Sequence, residues 1–145
     1  MTFTSFLLLK PHSAAHTDGD ISVTFAEADV LHTGDTYWNG IYPFIDYSTG
    51  GSITGMIRAA DASLAMTTDN TVIIPGHGAP VSNKAELRAY RDMLVAIRDN
   101  VAALRRQGRS LDETIAAKPT AAFDAKWGQF VITPAFFTKL VFEGV

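Results

Sequence analysis

The chain has 145 residues, enough for one domain with a sizeable core. Its 47% hydrophobic and 19% charged residues describe a soluble globular protein, and a net charge of -3 with a pI near 5.7 argues against nucleic-acid binding through phosphate contacts. No cysteine is present, which excludes disulfides, thiolate metal sites and cysteine nucleophiles, so any metal must be held by histidine and carboxylate.

The opening stretch, MTFTSFLLLKPHSAA, has a four-residue apolar patch without a basic segment ahead of it. That makes a poor signal peptide, which favours the cytoplasm and otherwise leaves the compartment open. No apolar run approaches the roughly 18 residues of a membrane span. Residues 21–25, ISVTF, alternate apolar and polar as a half-buried strand does. Residues 29–33, DVLHT, follow after a short turn, and the pair is expected to form a hairpin ending at Gly34 and Asp35. A loop dense in aromatics and glycine, TYWNGIYPFIDYSTGG, comes next. Its length points to function, because long structured loops in compact domains usually carry some.

A helix is expected to open at Ser52, with Ile53, Met56, Ile57, Ala60 and Leu64 recurring at helical spacing. Residues 71–75, TVIIP, predict a buried strand. The clearest helix is NKAELRAYRDMLVAIRDNVAALRRQG, with Asn83 as cap, Glu86 three residues on, and Gly108 at its end. Leu87, Tyr90, Leu94, Ile97, Val101 and Leu104 form its apolar stripe. Ser110 and Glu113 make a capping box for a short helix closed by Pro119, and a last helix runs from Pro134. With no linker in sight, the chain reads as a single α/β (α+β) domain over residues 1–145.

Three segments share one arrangement, a strand pattern leading to a turn with a metal-capable side chain: AHTDGD at 15–20, LHTGD at 31–35 and IPGHG at 74–78. Zinc takes neutral imidazoles and carboxylates held rigidly at ~2.0–2.2 Å, and strand ends supply that rigidity. Gly76 and Gly78 read as clearance around His77. Each residue also has a plainer role. His77 beside glycines suits a turn, Asp35 after Gly34 suits a turn former or cap, and His16 with Asp18 and Asp20 suits a hydrogen-bonded loop. His12 reads as a surface histidine, and His32 as a core or supporting histidine rather than a ligand. The loop aromatics suit a packing patch first and a substrate wall second.

Taken in order, AHTDGD, HTGD and PGHG, with the aromatic loop, the GGS helix start and the long helix, resemble the metallo-β-lactamase superfamily from about Pro11 onward. More narrowly, they are similar to the C-terminal half of one of its hydrolases. The resemblance implies half of an αββα sandwich, a mixed sheet with helices on one face. It also implies a zinc-dependent hydrolase in which a metal-bound hydroxide attacks an ester, thioester or lactam bond of a small-molecule substrate. His16, Asp35 and His77 become the metal ligands, with Asp35 bridging two ions and counted as catalytic. Tyr37, Trp38 and Tyr42 line the substrate entrance, and His32, Asp18 and Asp20 support the ligands. Asp35 stands where some lactamase branches use cysteine, which tilts the expectation toward glyoxalase-II-like hydrolases.

The family's HxHxDH motif is missing: the chain has no His-x-His, and only fifteen residues precede His16. Half a sandwich also leaves an apolar sheet face uncovered. A homodimer, an N-terminal half on another chain, or a truncated product would each account for that. The alternative function is then a non-catalytic fragment acting only in assembly. No membrane or nucleic-acid partner is expected.

Overall fold

The computed structural model describes residues 6–145, in which four strands form one mixed sheet in the order β1-β2-β3-β4. The apolar patch at the start is itself a strand, β1 (Leu7–His12), and pairs antiparallel with β2 (Asp20–Phe25). Pro11 is tolerated there because β1 is an edge strand. β2 makes the expected hairpin with β3 (Val30–Asn39), while β3 and β4 (Val72–Gly78) run parallel. That parallel pair requires a crossover, which α1 (Ile53–Met66) provides.

The two faces of the sheet differ. Leu8, Thr24, Leu31 and Ile73 lie in one row across the strands, and Leu31 and Ile73 are buried under the helices. The rows on either side point the other way. Leu7, Phe25, Val30 and Val72 form one, and Leu9, Val23, His32 and Ile74 form the other. None of these eight is buried, and Leu7, Leu9, Phe25 and Val72 are exposed. The expectation that the strand over 71–75 is buried throughout is therefore corrected: β4 alternates, because among the described residues no layer covers one face of the sheet.

The helices pack on the covered face. Ser52 caps α1 by accepting from the Gly55 N–H. Asn83 caps α2 (Lys84–Arg106) by accepting from the Glu86 N–H, and Gly108 follows it at a φ of +79°. α3 (Leu111–Ala116) has the full Ser110–Glu113 capping box. A short α4 (Asp124–Trp127) precedes α5 (Pro134–Glu143), which Thr133 caps. Leu87, Met93, Leu94, Ile97 and Val101 on α2 are fully buried, each contributing a gross ~1.5–3 kcal/mol. Leu104 is only half-buried, as the helix outruns the core. The α/β class with helices on one face of a mixed sheet is thus as the sequence indicates.

His12 is not a surface residue. It ends β1 on the helix side, is 6% exposed, and its Nε2 lies 2.9 Å from Ser22 Oγ. Burial, and then the nearby Lys10 charge, hold its pKa below the ordinary histidine value. A histidine with a depressed folded pKa binds fewer protons than the unfolded chain, so its contribution makes stability rise with pH up to the unfolded value near 6.5. We therefore expect urea midpoints to fall between pH 7 and pH 5, and to fall less steeply in His12→Gln. A slope unchanged by that substitution rules His12 out as the cause.

Candidate functional site

Strand β3 does not stop at Gly34 and Asp35. It passes through an irregularity there and continues to Asn39, re-pairing with β4 at Trp38–His77 and Asn39–Gly78. Gly34 takes a φ of +56°, a left-handed conformation that favours glycine. Such a bulge adds twist and re-aims the side chain that follows. Asp35 is therefore a strand residue turned outward, and its carbonyl accepts from Trp38 Nε1 at 3.0 Å. Thr33 Oγ1 bonds across to the Ile74 carbonyl, and Thr36 Oγ1 back to the Thr33 carbonyl, which ties the irregular stretch down.

The glycines around His77 serve a different purpose from the expected one. A Cβ at Gly76 would lie 2.5 Å from Asp35 Oδ1 and 2.6 Å from the Gly34 carbonyl oxygen. One at Gly78, whose φ is +85°, would collide with the Asn39 backbone. Their absence lets β4 close on β3, and that approach carries His77 to Asp35.

His16 comes from the loop between β1 and β2, which the start of α1 clamps. Ser52 Oγ donates to the Ala14 carbonyl at 2.7 Å, and the Ser52 N–H donates to the Ala15 carbonyl at 2.8 Å. The Asp46 N–H donates to the His16 carbonyl at 2.9 Å. The ring is set by Nδ1, which donates to the Phe44 carbonyl at 2.9 Å.

These elements bring the three residues together. His77 Nε2 lies 3.2 Å from Asp35 Oδ1, and His16 Nε2 lies 3.6 Å from Asp35 Oδ2. Side-chain exposure is 15% for His16, 40% for Asp35 and 47% for His77, so the carboxylate is open to solvent. Trp38 packs on His77 with ring centroids 4.0 Å apart, and Phe44 stands edge-on to His16 at 6.0 Å.

The chemistry follows from the His16 tautomer. With Nδ1 donating to a carbonyl, a neutral ring turns the Nε2 lone pair toward a carboxylate oxygen that also only accepts. Two acceptors face each other, and a cation, a proton or a water donating to both relieves the contact. The histidines approach opposite oxygens, however, and among the described residues no three ligating side chains gather around one ion position. The donor set suits a carboxylate shared between two partial sites.

The other expected site residues divide. Trp38 does form a wall of the cluster. Tyr37 and Tyr42 do not line an entrance, since both are buried in the core. Tyr37 OH bonds to Ser82 Oγ at 2.8 Å, which in turn donates to Glu86 Oε2 at 2.8 Å, and burial pushes the Tyr37 pKa up to about 12. Tyr42 OH donates to Asp124 Oδ1 at 2.9 Å, its ring stacks on Phe137, and burial raises its pKa strongly. Asp20 accepts from the Thr17 N–H at 2.9 Å and shapes the turn beside His16. Asp18 is exposed at the same turn. His32 sits on the open sheet face, away from the cluster's donors, and its Nδ1 accepts from the Gly34 N–H at 3.0 Å. Phe44, whose carbonyl orients His16, had no signal in the sequence, because a backbone acceptor has no residue preference.

A family model described as the metallo-beta-lactamase superfamily matches residues 2–105. The chain belongs to that superfamily. Among curated proteins, an uncharacterized protein of Mycobacterium tuberculosis is 32% identical over 82 residues, covering 53% of this chain and 36% of its own length. One from Mycobacterium leprae is 35% identical over 78 residues, covering 53% and 35%. The chain thus spans about a third of the length of these relatives. Among solved structures, a double mutant of the sec-alkyl sulfatase PisA1 superposes over 96% of this chain and 24% of its own, with a TM-score of 0.73 and 22% identity. The DIM-1 metallo-beta-lactamase superposes over 61% and 41%, with a TM-score of 0.51 and 19% identity. At those identities the likeness is one of fold. The sulfatase match extends over nearly the whole chain, including the stretch after residue 105 that the superfamily match does not reach.

Proposed function

We propose that the chain contributes to a zinc-dependent hydrolase acting on an ester, thioester or lactam bond of a small molecule, with His16, Asp35 and His77 as zinc donors. The observation that carries this reading is the facing pair of acceptors, His16 Nε2 and Asp35 Oδ2 at 3.6 Å, with His77 on the other carboxylate oxygen. When bound, such an ion lowers the pKa of water and polarises the bond to be cut. The protein's part is positional. The Phe44 carbonyl keeps the His16 lone pair on Nε2, and the bulge at Gly34 aims Asp35 outward. Trp38 shields one face of His77 from water.

Zinc analysis of the purified chain tests the assignment. His77→Ala should lower bound zinc per chain and shift the stability of the metal-free protein by no more than about 0.5 kcal/mol, as for an exposed residue. Unchanged zinc content in that variant would reject the assignment. A second reading, a non-catalytic domain acting in assembly, is favoured by the lack, among the described residues, of three ligating side chains around one ion position. In that case neither protein retains zinc above background.

A further inference from the structure

We propose that Phe44 and Phe136 form an apolar subsite beside His16, so that the substrate carries an alkyl or aryl group next to the bond that is cut. The proposal rests on the hydrolase reading above and adds the substrate class to it. A series of five rings crosses the cluster. Between centroids, Trp38 lies 4.0 Å from His77 and 6.3 Å from His16, Phe44 lies 6.0 Å from His16, and Phe136 lies 6.3 Å from Phe44. The two imidazoles supply donors, and the far end of the series is apolar.

Phe136 is the informative member. It sits in the first turn of α5, where its N–H donates to Thr133 Oγ1 at 3.2 Å. The next residue, Phe137, turns into the core and stacks on Tyr42, and Leu140 and Val141 complete the buried side of the helix. Phe136 takes no part in that core. Its ring is 37% exposed and lies 23° from parallel to the ring of Phe44. Core packing therefore does not account for a phenyl group at this position. Two rings so placed offer dispersion contact to an apolar group seated against them and keep water off one side of it.

Phe44 couples this wall to the donors. Its carbonyl holds His16 Nδ1 at 2.9 Å while its ring stands edge-on to the same imidazole, so wall and donor keep a fixed relation. Position in the chain points the same way. Phe136 lies beyond residue 105, where the superfamily match ends, so the framework that carries the donors does not dictate this ring. A group that selects among substrates belongs on such a part, because one fold serves many chemistries through what is grafted onto it. Each methylene taken fully out of water raises affinity about fourfold, and one seated against a wall open on its other side about twofold.

Carboxylic acids of increasing chain length test this, because a carboxylate is what ester or thioester cleavage leaves. Binding to the zinc-supplemented chain is followed by NMR at the indole N–H of Trp38, which donates to the Asp35 carbonyl. Octanoate, longer than butanoate by four methylenes, should bind about tenfold tighter. Phe136→Ser should bring the two acids to within about threefold of each other, and Phe136→Leu, which restores an apolar surface, should keep most of the difference. Zinc content should stay at the parent's value in both variants, since Phe136 supplies no donor. Equal affinities for the two acids in the parent overturn the proposal. So does an advantage for octanoate that survives Phe136→Ser, since its chain then lies elsewhere. The zinc reading fails separately: affinities for both acids that zinc leaves unchanged reject the metal, whereas the ratio between the acids decides the subsite.

Discussion

Gly55→Ala is expected to cost upward of about 3 kcal/mol in urea unfolding, or to prevent folding, although alanine is the better helix former by ~1 kcal/mol. Gly55 lies in the first turn of α1, and its N–H is the one that the Ser52 cap receives. An added Cβ would run into the Ala14 carbonyl group, with Ala14 C and Ala15 N also too close. Neither side can yield cheaply. Ala14 holds a left-handed φ of 57°, and its carbonyl already accepts from Ser52 Oγ. To make room, α1 must lift off the loop or the loop must lose its clamp, and either movement carries His16 away from Asp35. Gly108→Ala is the control. Its φ is +79° with nothing within 4 Å of the added Cβ, so it should cost only the ~1 kcal/mol of a left-handed alanine. Equal losses in the two variants would show that the packing of α1 on residues 14–15 contributes little.

The contrast between those glycines bears on what the sequence makes legible. Local rules are visible in it. Ser52, Asn83 and Ser110 cap helices where their spacing says they should, and the α2 stripe is buried from Leu87 to Val101. The convergence of His16, Asp35 and His77 could also be anticipated, through the family resemblance that the three motifs carry in their order, although Asp35 lies inside β3 rather than at its end. Features that depend on a neighbouring strand were not visible. HTGD looks like a turn, since glycine followed by aspartate favours turns, and only the pairing of Trp38 and Asn39 with β4 shows that β3 continues. Gly76 and Gly78 are set by β3 rather than by His77. Tyr37 and Tyr42 look like loop aromatics by position, yet Ser82 and Asp124, 45 and 82 residues further along the chain, draw their hydroxyls into the core.

Asp35→Asn should separate a cation site from an ordinary ion pair, because the two give opposite signs. If the His16 and Asp35 acceptors face each other for want of a cation, the amide relieves the contact, since its N–H can donate to Nε2. The metal-free variant should be as stable as the parent or more stable by up to about 1 kcal/mol. Added zinc should then distinguish the proteins in the other direction. A ligand at one hundred times its dissociation constant stabilises a fold by about 2.7 kcal/mol, and the variant, having lost the shared carboxylate, should show little of that gain. If Asp35 instead serves only as an ion-pair partner of His16 and His77, the substitution should destabilise the metal-free protein by up to ~1 kcal/mol. It should then leave the response to zinc unchanged. The thermal midpoint of both proteins, measured with and without zinc, decides between the two, because a metal site loses its gain from zinc with the carboxylate and an ion pair has no such gain to lose.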